Sequence, residues 1–443
     1  MKKTLIAVAA AAALTTSAFA EITFGAWLRV LAAPVASNGD ETVTAMGNSW
    51  GYGARVARLN VNAVAEDGKA GFDMGIYNDL NDGLSTGDQW SIWTKPVEQV
   101  KLSFGKYDNN TLRGDLCYGS WNWLRPTSSW YVDDEGLLMS GNGGKGVLIE
   151  ATPMEGLYIQ ALIPIDAKMQ KAEDVYKDAR GGFAYSIDGI GKIKGQVILN
   201  GTAKVEAADA KAGFWKDKNG NKLASAPVGA DTPSGYADLL SKGYTYTPAK
   251  NAVTGSDAYL DKTFEAEFDL TSVENLWLGV GFQMNVIDKL DDRAAQKVNP
   301  SSDESVTYAQ STKMKIALGA SYQVNDDLKV SASGAYLTAQ KGKDDGGVDG
   351  VFQLGAGVDY NLGEGINLAA DVRYKSKVND EDNTDSLAFL VGVTKGISSN
   401  GYVGVGFQAQ TNSGTWSNTV ITGEEAKGDK LTWAIPVAMS VWF

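Results

Sequence analysis

Histidine is absent from this 443-residue chain, and Cys117 is its only cysteine. Those two facts remove any disulfide within the chain, a His-dependent zinc site, a Ser-His triad and a Cys-His pair. What remains for chemistry is charge and aromatic surface. Carboxylates recur at alternate positions in Glu265, Glu267 and Asp269, and bases stand at Arg29, Arg58 and Lys101 early and at Lys313, Lys315, Lys329 and Arg373 late. Residues 108–144 hold Asp115, Asp133, Asp134 and Glu135 beside Trp121, Trp123 and Trp130, with Tyr118 and Tyr131. Aromatic rings beside carboxylates suit sugar rings, which offer an apolar face and hydroxyls at the edge. Neither a catalytic site nor a cofactor is expected, and no metal site is assigned.

Two motifs suggest more than they deliver. Asp217, Asn219 and Asn221 resemble the start of a calcium loop, but Val228 stands where its terminal glutamate belongs. A solvated loop fits them better. Gly279 and Gly281, Gly355 and Gly357, and Gly404 and Gly406 lack the third glycine and following helix of a phosphate-binding loop. On a strand, such glycines relieve curvature or widen the space they face.

The elements that must position these groups follow from period-two patterning. Leu431, Trp433, Ile435, Val437, Met439, Val441 and Phe443 take every odd position to the end of the sequence, alternating with the small or weakly polar Thr432, Ala434, Pro436, Ala438 and Ser440. Alternation puts one row on each face of a strand. A membrane-crossing strand needs about nine to eleven residues with its apolar row toward lipid. Similar rows recur along the chain: Ile22, Phe24, Ala26 and Leu28, then Phe264, Ala266 and Phe268, then Phe352, Leu354, Ala356 and Val358. They come in pairs joined by tight turns such as Glu66-Asp67-Gly68-Lys69, with long polar loops between the pairs. The expectation is an all-β, antiparallel, up-and-down transmembrane barrel of about eighteen strands, or sixteen if two weak rows are misread. Pro436 removes one ladder hydrogen bond from the last strand, and a bulge is expected there.

The first twenty residues read as a secretory leader, with Lys2 and Lys3 before an apolar run and Ala18-Phe19-Ala20 at the processing point. A barrel domain is expected over 21–443, with 201–258 as its longest polar surface loop. Mean hydropathy is negative, as expected where every second residue faces a polar interior. The net charge of −13 argues against nucleic acid as a partner and favours cations.

In a closed barrel the first and last strands are neighbours, so the early and late bases gather on one arc of the inner wall, with Glu265, Glu267 and Asp269 across the lumen. Two readings stay open: opposed charges that discriminate among solutes, or charges that merely hydrate the lumen. The aromatic-rich loop 108–144 forgoes much apolar burial if it stands in water. It is expected to fold into the barrel mouth, or else to pack on itself or on a neighbouring subunit.

Together the leader, the row-and-turn alternation and the terminal phenylalanine make the chain resemble a bacterial outer-membrane porin. That resemblance implies short periplasmic turns, long outer loops, passive diffusion of small hydrophilic solutes, and neighbours in lipid and lipopolysaccharide. It also implies a homotrimer, and a terminal strand read by the barrel-assembly machinery, here Ile435, Val437, Met439, Val441 and Phe443. The loop after the fifth strand, 108–144, would form the constriction with its acids facing the wall bases. An alternative from another class is a surface adhesin that uses a barrel as anchor for long binding loops.

Overall fold

The computed structural model describes residues 20–47, 55–79, 83–115, 137–165, 175–202, 213–228, 232–247, 258–288, 296–297, 307–308, 313–338, 340–341, 347–348, 350–379, 384–412 and 430–443. The expected leader lies outside them, apart from Ala20. The chain divides into two compact units, one of Met1–Asn200 with Asp261–Phe443 and one of Gly201–Leu260.

The first unit is antiparallel sheet. Its strands begin with β1 (Ala20–Ser37), β2 (Thr42–Gly47), β3 (Arg55–Ala65), β4 (Ala70–Asp79) and β5 (Gly83–Val97). There follow β6 (Val100–Asn109), β7 (Asn142–Met154), β8 (Leu157–Pro164), β9 (Arg180–Ile187) and β10 (Gly191–Thr202). β11 (Phe214–Lys216) and β12 (Thr245–Thr247) belong to the second unit, and β13 (Tyr259–Leu270) and β14 (Leu276–Val286) resume the sheet. After the two-residue pair β15 (Gln296–Lys297) and β16 (Thr307–Tyr308) come β17 (Lys313–Gln323) and β18 (Leu328–Leu337). A second such pair, β19 (Gln340–Lys341) and β20 (Gly347–Val348), precedes β21 (Val351–Gly363), β22 (Ile366–Asn379), β23 (Thr384–Ser398), β24 (Gly401–Gln410) and β25 (Thr432–Trp442).

Consecutive long strands pair, and β25 returns to β1. β1 pairs with β3 over 20–28 and with β2 over 31–37. β2 and β3 therefore fill one place in the ring, which closes with eighteen strand positions. β10 meets β13 where Thr271 N donates to Ile190 O at 3.0 Å. Closure has a physical cause. An unpaired backbone group in hydrocarbon costs several kcal/mol, and only a ring leaves no edge.

The two faces differ as the alternation requires. Outward Phe24, Ile92, Leu318 and Met439 expose 54%, 64%, 56% and 51% of their surface, whereas inward Ser91, Gln160, Gln353 and Gln408 are buried. Outward Tyr322 and Tyr360 lie near the short turns, and Tyr336 lies at the opposite end of its strand. No helix among the described residues is long and apolar enough to cross a membrane.

The chain end is pinned. Ala26 N donates to Phe443 O at 3.0 Å and Phe443 N to Ala26 O at 2.8 Å, so the terminal residue completes the ladder with β1. The irregularity expected at Pro436 falls on its partner. Between Ala32↔Val437 and Val35↔Ile435 the register shifts by one, so Ala33 and Pro34 of β1 face Pro436. A proline without an N–H is met by an extra residue opposite, the geometry of a bulge.

Residues 201–258, expected as a polar surface loop, carry elements of their own. β11 pairs antiparallel with β12, a helix spans Pro233–Ser241, and Trp215 is buried with its ring centroid 5.3 Å from that of Tyr246. A tryptophan and Leu239 supply the apolar centre that the polar composition hides. Asp217 accepts the backbone N–H groups of Asn219 and Asn221, each at 2.9 Å. Those bonds, with Asn221's the largest, hold its carboxyl below the ordinary value, as in a capped turn rather than a calcium loop.

Candidate functional site

β13 sets the inner wall at mid-chain. Phe264 and Phe268 face out, which turns Glu265, Glu267 and Asp269 inward, where they are 3%, 2% and 1% exposed. Carboxylates that merely lined a wet lumen would be solvated. These are covered by the two described ends of the 108–144 loop. Ser140 donates its N–H to Glu265 Oε2 at 2.8 Å and its hydroxyl to Oε1 at 2.9 Å. Gln196 Nε2 donates to the same carboxylate at 2.5 Å and Gln283 Nε2 at 2.7 Å. From the other loop end, Asp115 N donates to Glu267 Oε1 at 2.8 Å.

A lysine closes the group. Lys194 Nζ, on β10, donates to Arg113 O at 2.9 Å and to Glu267 Oε1 at 3.1 Å. It lies 3.2 Å from Asp115 Oδ2 and 3.8 Å from Asp269 Oδ2. Asp115 belongs to the loop, and its carboxyl sits below the ordinary carboxylate range. Burial opposes ionisation there, but contact with Asp269 and the charges of Lys194 and Lys192 outweigh it.

The loop end packs into the room that two of the inward glycines leave. A Cβ on Gly279 would lie 2.1 Å from Leu137 Cδ1, and one on Gly281 2.1 Å from Leu137 O. Side chains at those inward positions would displace the loop end. Leu137 and Leu138 continue onto Ala317, Ala335, Leu337 and Val351 of the neighbouring strands, and Leu112 packs with Met139 and Ala184. Below the loop, toward the short turns, a cavity of about 1070 Å³ is lined by Asp115, Asp269, Glu155, Asp188, Lys192 and Trp277, among others.

The bases are handled differently. Arg29 Cζ lies 4.3 Å from the centroid of the Trp27 ring, and Arg58 donates to Tyr77 Oη at 3.1 Å and Gln89 Oε1 at 3.3 Å. Lys101 stands 3.8 Å from Glu150 and 5.2 Å from the Trp93 ring. Arg373 is buried and paired with Asp371 at 2.8 Å. Lys315 lies opposite Gln283 in the ladder, Lys313 opposite Asn285, and Lys329 opposite Asp359. In ring order Arg29 on β1 and Arg58 on β3 lie about half-way round from β13. Ile435, Val437, Met439, Val441 and Phe443 all face outward along β25.

Trp121, Trp123, Trp130, Asp133, Asp134 and Glu135, together with Cys117, lie outside the described residues. Lys194 is absent from the candidate bases above, although the pattern holds a signal for it. Ile193 and Val197 form an outward row, so Lys194 and Gln196 must face in.

Residues 223–394 match the family model described as an outer membrane protein beta-barrel domain. Among solved structures, in-vitro folded OmpT, an outer membrane protein of Vibrio cholerae, is 14% identical over 97% of this chain and 99% of that one, with a TM-score of 0.48. OccAB1 of Acinetobacter baumannii is 9% identical over 96% and 97%, with a TM-score of 0.49. The anion-selective porin of Comamonas acidovorans is 11% identical over 96% and 100%, with a TM-score of 0.42. No curated protein sequence matches the chain.

Proposed function

We propose that this protein is an outer-membrane porin, a water-filled channel for passive diffusion of small hydrophilic solutes and ions, without catalysis. The observation that carries this reading is the closed ring of eighteen strand positions, apolar outside and polar inside. An apolar exterior suits lipid, and a polar interior suits a solvated path. The resemblance adds lipopolysaccharide as a neighbour, a homotrimer as the assembly, and the β25 outward row as the segment read during assembly.

Within that path, loop 108–144 narrows the lumen. Its described ends are held on the β10–β13–β14 wall through Glu265 and Glu267, and the bases Arg29, Arg58 and Lys101 face the permeant from the other side. The acidic balance of the chain favours cations mildly. Trp121, Trp123 and Trp130, close in sequence to Asp133, Asp134 and Glu135, are the residue types that would suit saccharides as well.

Single-channel recording of the refolded protein in a planar bilayer, under a salt gradient, tests the reading. Large stable steps with a reversal potential toward cations are expected. A folded, heat-modifiable barrel that gives no steps would defeat it and favour an anchor for binding segments, for which the compact unit Gly201–Leu260 is the natural candidate.

A further inference from the structure

Asp115, Glu267 and Asp269 bring one carboxylate oxygen each to within 4.8 Å of one another. Three carboxylates meet one ammonium, that of Lys194. If all are ionised, that ammonium offsets one negative charge and Lys192 at the cavity bears on Asp115, which among the described residues leaves negative charge in excess where Glu267 and Asp269 are almost wholly buried. A buried charge without compensation costs several kcal/mol, so something must balance it.

The oxygens show where. Lys194 occupies one side of the group, against Glu267 Oε1, Asp115 Oδ2 and Asp269 Oδ2. Glu267 Oε2 and both oxygens of Asp269 are buried and accept no hydrogen bond. Asp115 and Asp269 also line the 1070 Å³ cavity below the loop, which gives an ion an entry path and room for water. Three carboxylates are hard oxygen donors, which select a hard cation. Calcium takes oxygens at about 2.3–2.6 Å in flexible geometry, so ligands up to about 5 Å apart can share one ion, a wider spread than magnesium tolerates.

We infer that Asp115, Glu267 and Asp269 form a calcium site that ties the 108–115 end of the loop to the barrel wall. The ion supplies the charge that Lys194 leaves unbalanced, and water from the cavity completes its shell. The site is a property of this cluster, and its test does not depend on conductance.

The test uses full-length protein refolded in detergent without lipopolysaccharide, so that lipid-bound calcium plays no part, and stripped with a chelator. Calcium is titrated while the unfolding temperature and the heat of binding are followed. One site per chain is expected, with a dissociation constant of about 10⁻⁴–10⁻³ M, as in extracellular calcium modules, and a rise in unfolding temperature that equal magnesium does not reproduce. Asp269→Asn should weaken binding by about tenfold or more. Asp115→Asn, a change at a half-exposed loop position, should do the same in a barrel that still folds. No calcium-dependent shift in the wild type, or a shift retained in both variants, would overturn the assignment and leave protonation of Asp269 as what balances the cluster.

Discussion

Two arcs of the same inner wall treat charge in opposite ways. On β1 and β3, Arg29 and Arg58 lie against the rings of Trp27 and Tyr77. Half-way round the ring, on β13, Glu265, Glu267 and Asp269 are buried under backbone and side chains of a loop. On the first arc, Arg58 is only partly buried and can address a passing solute, whereas Arg29 is itself 8% exposed. The carboxylates of the second arc hold structure. An inward charge is therefore a functional group only where nothing folds over it, and alternation along a strand says nothing about what does.

The sharpest way to break this contrast is at Lys194, the ammonium that Asp115, Glu267 and Asp269 share. Lys194→Met leaves Glu267 and Asp269 facing each other and Asp115 without their counter-charge. The expected loss of stability is about 3–5 kcal/mol, as for other buried pairs deprived of one partner, read as a lower denaturant midpoint. Glu265→Ala deprives Ser140, Gln196 and Gln283 of their shared acceptor. It should cost about 2–3 kcal/mol and raise single-channel conductance as the loop end leaves the wall. An unchanged conductance there would show that the loop does not narrow the path.

Gly281→Ala tests the same contact from the wall. Its methyl would meet Leu137 O, a backbone atom that cannot swing away, and overpacking of about 1–2 kcal/mol is expected with altered conductance. Asp115 gives the pH limb. Its carboxyl is lowered in the folded state, so its contribution is present above the ordinary carboxylate value near 4 and lost as pH falls through the lowered value. Unfolding temperature should therefore drop with acidification below about pH 4, and Asp115→Asn should flatten that drop. The smallest effect on stability is expected on the basic arc. Arg58→Gln should change it by no more than about 1 kcal/mol yet move the reversal potential toward cations, whereas no shift would make that arc structural too.

The sequence by itself determined the barrel. Period-two rows such as Phe352, Leu354, Ala356 and Val358 can bury an apolar face only against lipid or another sheet, and short turns alternating with long loops order the strands as hairpins. Phe443 was legible as the end of a strand because the odd-position apolar row runs to it without a gap. Tertiary structure alone decided what the inward rows do. Ring closure fixes which strands face each other, but whether a loop lies on Glu265 or leaves it in water depends on contacts over more than a hundred residues, such as Ser140 to Glu265. Lys194 shows the boundary between the two. Its inward direction follows from Ile193 and Val197 beside it, while the three carboxylates around it come from β13 and from loop 108–144, and only folding could bring them to one ammonium.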